Sequence, residues 1–339
     1  MDKVPTIGER IAAHIKDSCK AQGLDPQIGL RRYSAEQILS GFRAVYPNLF
    51  IVNGGLIHDQ RVRQTNDADI RFIRNATAEE IQQAFIRMAP LIERLGIKFE
   101  NISPPEYLDM PSGVPGMRSS TRCWIGSSRV DNKIEMGFSD GRKCAFPSDW
   151  NTELPTWIKG QPVFKGRVAK FETQVAEKLV TILTSGAANT RMKDYADIAM
   201  MAPDLDKAFL AKEVARAIED RRLGSSILSD VPEGLDISLL QSEQKFVEWK
   251  SIVTKRARSL DMTATLCGVR QVYAHIRDAA REQVLARELT EQAREEAELQ
   301  KMINKPHSMR KIRPRRASGS AVESNVIEFQ RYQHTLPRM

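Results

Sequence analysis

Residues 53–70 read NGGLIHDQRVRQTNDADI. Two glycines close an apolar run, and two aspartates separated by one residue open the next. The run before them, LFIVNGG, has the length and the β-branched content of a short buried strand ending in a glycine turn. After it, DADIRFI alternates: Ala68, Ile70 and Phe72 fall on one face of a strand, Asp67 and Asp69 on the other. A core has no use for two carboxylates side by side, so either water or a cation meets them.

Working outward, residues 7–45 carry helical apolar spacing through Ile11, Ile15, Ile38 and Phe42, interrupted at GLDPQ. Downstream, TAEEIQQAFIRMAPLIERLG predicts an amphipathic helix with a capping box from Thr77 to Glu80 and a stop at Gly96. A proline-rich connection leads to TRCWIGSSRVDNKIEMGFSDG, two strands joined by a turn, and PSDWNTELPTWIKGQP reads as loop. From residue 168 the pattern is helical to about residue 300. The expected fold class is α+β, a mixed sheet flanked by helices and followed by an all-helical part. The expected divisions are 1–45 as a helical segment, 46–160 as the sheet-bearing core, 161–280 as a helical domain and 281–339 as a charged helix with a basic tail.

Four features carry candidate chemistry. Asp67 and Asp69, about 7 Å apart at Cα on one strand face, can share a hard cation such as Mg²⁺, although a polar face is ordinary in an antiparallel sheet. Gly54 and Gly55 leave backbone free to approach a ligand, and their N–H groups can face a phosphate. Glu135 stands opposite the apolar face of Ile134, Met136 and Phe138; a third carboxylate joins the pair if its strand is adjacent, and otherwise Glu135 is a surface acid. Lys178 sits beside the apolar stripe of its helix, so it either snorkels to solvent or points its ammonium at a triphosphate. In NTRMKDYADI, with Asn189 or Thr190 as N-cap, Arg191 and Lys193 occupy a first turn whose dipole opposes them by about 0.3–1 kcal/mol each. An anion at that end explains them, and so does ion pairing with Asp194 and Asp197.

The chain of 339 residues is 41% apolar, enough for a substantial core. No run approaches the roughly 20 apolar residues of a membrane span, and the opening lacks the apolar centre of a signal peptide, so a cytoplasmic location is expected. The four cysteines, Cys19, Cys123, Cys144 and Cys267, stand singly and read as buried free thiols. The net charge of +8 is concentrated: residues 301–316 hold seven Lys or Arg and no acid, leaving the remainder close to neutral. That tail reads as a solvated, disordered terminus or an RNA-contacting arm.

The order of these features resembles the DNA polymerase β-like nucleotidyltransferase superfamily. More narrowly, RVRQTNDADI is similar to the RxRxTxDxDL segment of the AbiEii/AbiGii toxin family, and FETQVAEKLVTILTSGAANTRMKDYADI to its EKL helix followed by RxKDxxDL. RRYSAEQILSGF and FLAKEVARAIEDRR also fit, so the resemblance covers about residues 30–275. It implies metal-dependent transfer of NMP from NTP to an RNA acceptor, the tRNA 3′ end foremost, by a toxin of a type IV toxin–antitoxin or phage-defence system with a cognate antitoxin. Carried over, Asp67, Asp69 and Glu135 hold Mg²⁺, Lys178 and Asp194 are further catalytic positions, and Gly54, Gly55, Arg63, Thr65, Arg191 and Lys193 line the nucleotide. Asn53 replaces the Lys that often precedes the Gly pair, and Glu135 an Asp. Transfer to a protein or a small molecule, or a non-catalytic binding role, are the other readings.

Overall fold

The computed structural model describes residues 4–58, 65, 67–108, 116–138, 151–155, 158, 160–253 and 261–303. Residues 1–291 form one compact unit. It opens with α1 (Ile7–Ala21), started by a Thr6/Glu9 capping box, and α2 (Pro26–Val45), where Asp25 caps and Pro26 supplies a preset first turn. Then come β1 (Phe50–Asn53), a 3-10 turn over Gly54–Ile57, β2 (Asp67–Phe72) and α3 (Ala78–Glu93), whose Thr77/Glu80 capping box forms as expected.

The sheet continues with β3 (Ile97–Ile102), β4 (Glu106–Leu108), β5 (Gly116–Ile125) and β6 (Ser128–Phe138). Strand order is β1-β2-β6-β5-β3, with β4 on β5. Only the β2–β6 pairing is parallel among these strands, which makes the sheet mixed. β3 and β4 are additions to the sequence reading; β3 alternates poorly, because its register slips between Phe99 and Asn101 and scrambles the period of two. Part of the segment read as loop is β7 (Asn151–Glu153), which pairs with β8 (Lys165–Arg167).

One face of the sheet is apolar and buried. Ala68, Ile70, Phe72, Ile134, Met136 and Phe138 join Phe42, Phe85 and Met88 from α2 and α3 in a single core. Phe72 alone meets Phe42, Phe50, Tyr46 and Phe138. Each such ring contributes about 1.5–3 kcal/mol by burial, so a polar residue at 72 would unseat β2. The opposite face carries Asp67, Asp69 and Glu135.

After β8 the chain runs beside β1: Ala169 N–H donates to the Val52 carbonyl at 2.9 Å. That contact delivers α4 (Phe171–Ser185) to the end of β1, followed by α5 (Met192–Met201), α6 (Lys207–Asp220) and α7 (Glu243–Val253). These helices share a second core with Met262, Leu266, Val269, Tyr273, Ile276, Ala280 and Val284 of α8 (Met262–Ile303). The helical spacing of those α8 residues ends at Val284, and residues 292–302, in the second unit, are all exposed. Cys19 and Cys123 are buried thiols as expected; Cys267 departs from that reading, since it falls on the outer side of α8. Cys144 and the basic tail lie outside the described residues. Among the described residues no helix is long and apolar enough to cross a membrane.

Candidate active site

Because β2 and β6 run parallel in register, Asp69 stands opposite Glu135 and Asp67 opposite Lys133. Alternation puts all four on the polar face. A cavity of about 340 Å³ opens there, lined from the sheet side by Gly54, Thr65, Asp67, Asp69 and Glu135 and from the helical side by Lys178, Arg191 and Lys193. Eight candidate residues far apart in the chain thus share one wall-to-wall space. Gly55 does not reach it and is buried in the 3-10 turn. Arg63 lies outside the described residues.

Gly54 has a role beyond ligand approach. Its φ is +67°, and a Cβ there would stand 1.6 Å from Asp69 Oδ2. The Asp69 carboxylate therefore packs directly on the Gly54 backbone, where any side chain would displace it. The carbonyl of Gly54 accepts from Gln174 Nε2 at 2.9 Å, tying the same turn to α4.

Glu135 is held by a cation from the next strand. Arg118 of β5 stands opposite it, and Arg118 Nε and Nη2 both donate to Glu135 Oε1, at 3.1 and 2.6 Å. Among the described residues no three His, Cys, Asp or Glu side chains stand grouped to hold a metal ion. The hard carboxylate oxygens of Asp67 and Asp69, on one face of one cavity, fit a divalent ion by donor type. Glu135 in this arrangement serves Arg118.

The helical wall differs in kind. Lys178 Nζ lies 2.8 Å from Asp194 Oδ1 and 3.0 Å from Asp197 Oδ2, and Arg191 Nε lies 2.7 Å from Asp194 Oδ2. Both aspartates are fully buried. Burial pushes the Asp194 carboxyl up, but the Lys178 ammonium and the Arg191 guanidinium outweigh it and hold it below the usual carboxylate range. Asp194 does not line the cavity; it stands behind it and acts through Lys178 and Arg191. The helix begins one or two residues later than the expected cap at Asn189 or Thr190. Asn189 Oδ1 accepts from Arg191 N–H at 3.0 Å, a local turn that leaves Arg191 itself at the cap position. The basic residues at this helix end are thus explained in part by Asp194, three residues on.

Sequence reasoning did not single out Arg71, Glu177, Asp220 and Arg221, which also line the cavity. Arg71 shares the face of Asp67 and Asp69 and bridges β2 to both α4 and α6, through Glu177 at 3.1 Å and Asp220 at 3.2 Å; Arg221 joins Glu177 at 2.7 Å. For Glu177, burial is outweighed by Arg71 and Arg221, and its pKa falls. For Asp220, burial, aided by neighbouring Glu177, wins over Arg71 and Arg216, and its pKa rises. The period-two continuation from Asp69 to Arg71 was the available signal; its partners depend on packing no local pattern encodes. Among the described residues, Lys193 is the one cation lining the cavity without an ion pair.

A mixed sheet presents paired carboxylates to a helical wall of ion-paired cations, and the family comparison places the protein among the nucleotidyltransferases. Residues 37–309 match the model of the family described as nucleotidyl transferase AbiEii toxin, type IV TA system. The chain belongs to this family of nucleotidyltransferase toxins. Two crystal structures are similar in part. One is a provisionally assigned nucleotidyltransferase from H. pylori, at 13% identity and a TM-score of 0.38, covering 74% of this chain and 96% of that one. The other is JHP933 from Helicobacter pylori, at 16% identity and a TM-score of 0.37, covering 77% and 97%. No curated protein sequence matches the chain.

Proposed function

We propose that the protein moves an NMP unit from NTP to the 3′-hydroxyl of an RNA, with the tRNA 3′ end as the favoured acceptor, and that a cognate antitoxin accompanies it as the family's description suggests. The observation that carries this reading is the convergence of Asp67, Asp69, Glu135, Lys178, Arg191 and Lys193 on one cavity. The hydroxyl oxygen attacks the α-phosphorus, the bond from the α-phosphorus to the bridging oxygen breaks, and pyrophosphate leaves. The hydroxyl proton passes to a carboxylate of the sheet wall and on to water.

Such a transfer needs positioning and charge neutralisation more than covalent help. Asp67 and Asp69 would hold the divalent ion, Mg²⁺ being the natural choice for carboxylate oxygens. Bound there, the ion supplies Lewis-acid stabilisation of phosphate oxygens. Glu135 would join them on exchanging Arg118 for the ion. Gly54 keeps Asp69 in place, Thr65 edges the entry, and Lys193 takes the charge of the triphosphate. Lys178 and Arg191, fastened to Asp194, hold that wall at fixed distance. Gly55 shapes the turn beneath Gly54, and Arg63 belongs to this proposal through the motif resemblance alone.

The test is incorporation of labelled NTP, each of the four in turn, into total cellular RNA and separately into a protein extract, with Mg²⁺ and with chelator. Label entering RNA only with the metal present supports the reading; label entering only protein moves the acceptor class. The Asp67→Ala, Asp69→Ala double variant should lose at least about 10³-fold in rate while keeping the melting temperature, since both residues are only partly buried.

A further inference from the structure

A second cavity, about 510 Å³, adjoins the first, and Asp67 lines both. Its lining among the described residues is polar throughout, including Asn101, Ser120, Arg122, Asp131 and Lys133. Strand register explains most of the assembly, with Thr121, Asn132 and Arg31 of α2 adding to the lining from off the polar face. Ser120, Lys133 and Asp67 form one row across β5, β6 and β2, Arg122 and Asp131 the next, and Trp124 and Arg129 the next, with Lys98 of β3 opposite Trp124. All belong to the polar face. From the Asp67 row to the Trp124 row is about 13 Å at the usual strand rise.

We infer that the single-stranded 3′ end of a polynucleotide acceptor lies along this face, with its terminal hydroxyl at Asp67 and its preceding nucleotides over Lys133, Arg122 and Trp124. The inference rests on the nucleotidyl-transfer reading and gives it an acceptor path. With Asp67 assigned to the ion and the terminal hydroxyl, Lys98, Arg122, Arg129 and Lys133 share this face with Glu100 and Asp131, a cationic excess suited to phosphodiesters. Lys133 makes no ion pair among the described residues, and Arg122 meets Asp131 at 2.8 Å in a pair whose members are each roughly half exposed, which is easily exchanged for a phosphate. Trp124 is 37% exposed, and its ring is anchored by Nε1 donating to Glu100 Oε2 at 2.7 Å. An anchored, half-open indole in a basic row is a stacking platform for a base. A protein acceptor calls for an apolar contact centre and a drug-like small molecule for apolar walls; this lining offers neither.

The experiment measures anisotropy of a labelled single-stranded RNA oligonucleotide, and of DNA of the same sequence, without NTP, over a range of salt. Wild type is compared with Lys133→Glu, at an exposed strand position, and Trp124→Leu, with NTP affinity measured by calorimetry in each. Lys133→Glu should bind RNA about tenfold more weakly and with a shallower salt slope. Trp124→Leu should lose about fivefold or more with the slope kept. NTP affinity should stay within about twofold of wild type in both. Losses on RNA alone, or on RNA and DNA alike, support the groove and tell whether the sugar matters. RNA affinity within twofold of wild type in both variants overturns it. If wild type binds neither oligonucleotide while label enters another acceptor, the RNA reading itself falls and the groove falls with it.

Discussion

The two walls of the candidate cavity are built on opposite electrostatic plans. On the sheet side, Asp67, Asp69 and Glu135 are partly exposed, and Glu135 is met by an equally accessible Arg118. On the helical side, Lys178 and Arg221 are largely buried against Asp194, Asp197 and Glu177, and Arg71 reaches across from β2 to Glu177 and Asp220. The helical wall is therefore a charge-balanced brace and not an open cationic surface for a triphosphate to settle on. Partly exposed charges can change partners cheaply, whereas buried pairs resist rearrangement because each member would be left without compensation. On the proposed function, chemistry belongs to the first wall and rigidity to the second.

The largest effect that could break this contrast is on stability. Lys178→Met should cost about 3–5 kcal/mol, since it leaves two fully buried carboxylates with much of their compensation removed. Chemical denaturation at pH 7 checks this. Asp194 has a folded-state pKa below its unfolded value, so its contribution is present above the ordinary aspartate pKa and is lost as pH falls through the lowered one. Wild type should accordingly lose stability below about pH 4. In Lys178→Met the buried carboxylates take up protons more readily, so the gap between variant and wild type should narrow as pH falls. A gap that stays below 1 kcal/mol at pH 7 would show the brace to be dispensable.

On the sheet wall the corresponding substitution is Gly54→Ala. The added methyl falls on Asp69 Oδ2, so the carboxylate must move, and a positive φ adds about 1–2 kcal/mol of strain. Displacement of a positioned group by an ångström costs on the order of 10²-fold in rate. Turnover should fall by that amount with the NTP KM little changed. Strain without a loss of turnover would mean that the close packing of Asp69 on Gly54 serves only the fold.

Much of this arrangement was legible from local pattern. Asp67, Ala68, Asp69 and Ile70 announce a strand with one wet face, and Thr77 with Glu80 announces a helix start, because both signals are complete within a few residues. The sequence leaves the adjacency of Asp69 and Glu135 conditional, since a parallel pairing between segments some 65 residues apart leaves no local trace. Arg118 was missed for the same reason: its meaning comes from standing opposite Glu135. The apolar spacing of α4 places Lys178 against its buried stripe, but locally it offers the ammonium only solvent or phosphate. The carboxylates it meets lie on α5, beyond a turn whose geometry depends on Asn189.

Lys193 sharpens the contrast at its weakest point, because with its exposed neighbour Arg191 it follows the plan of the other wall. It is exposed, lines the cavity and makes no ion pair among the described residues. Its place in the first turn of α5 opposes the helix dipole, so Lys193→Ala should leave stability unchanged or raise it by about 0.3–1 kcal/mol. On the proposed function, a bound anion compensates that local cost. The same variant should raise the KM for NTP about tenfold, the order expected for losing one charge-assisted contact, with a smaller change in turnover. Steady-state kinetics with varied NTP, set beside thermal melts, reads both quantities on one protein. A stability gain without a KM change would show that the triphosphate is held from the sheet side alone.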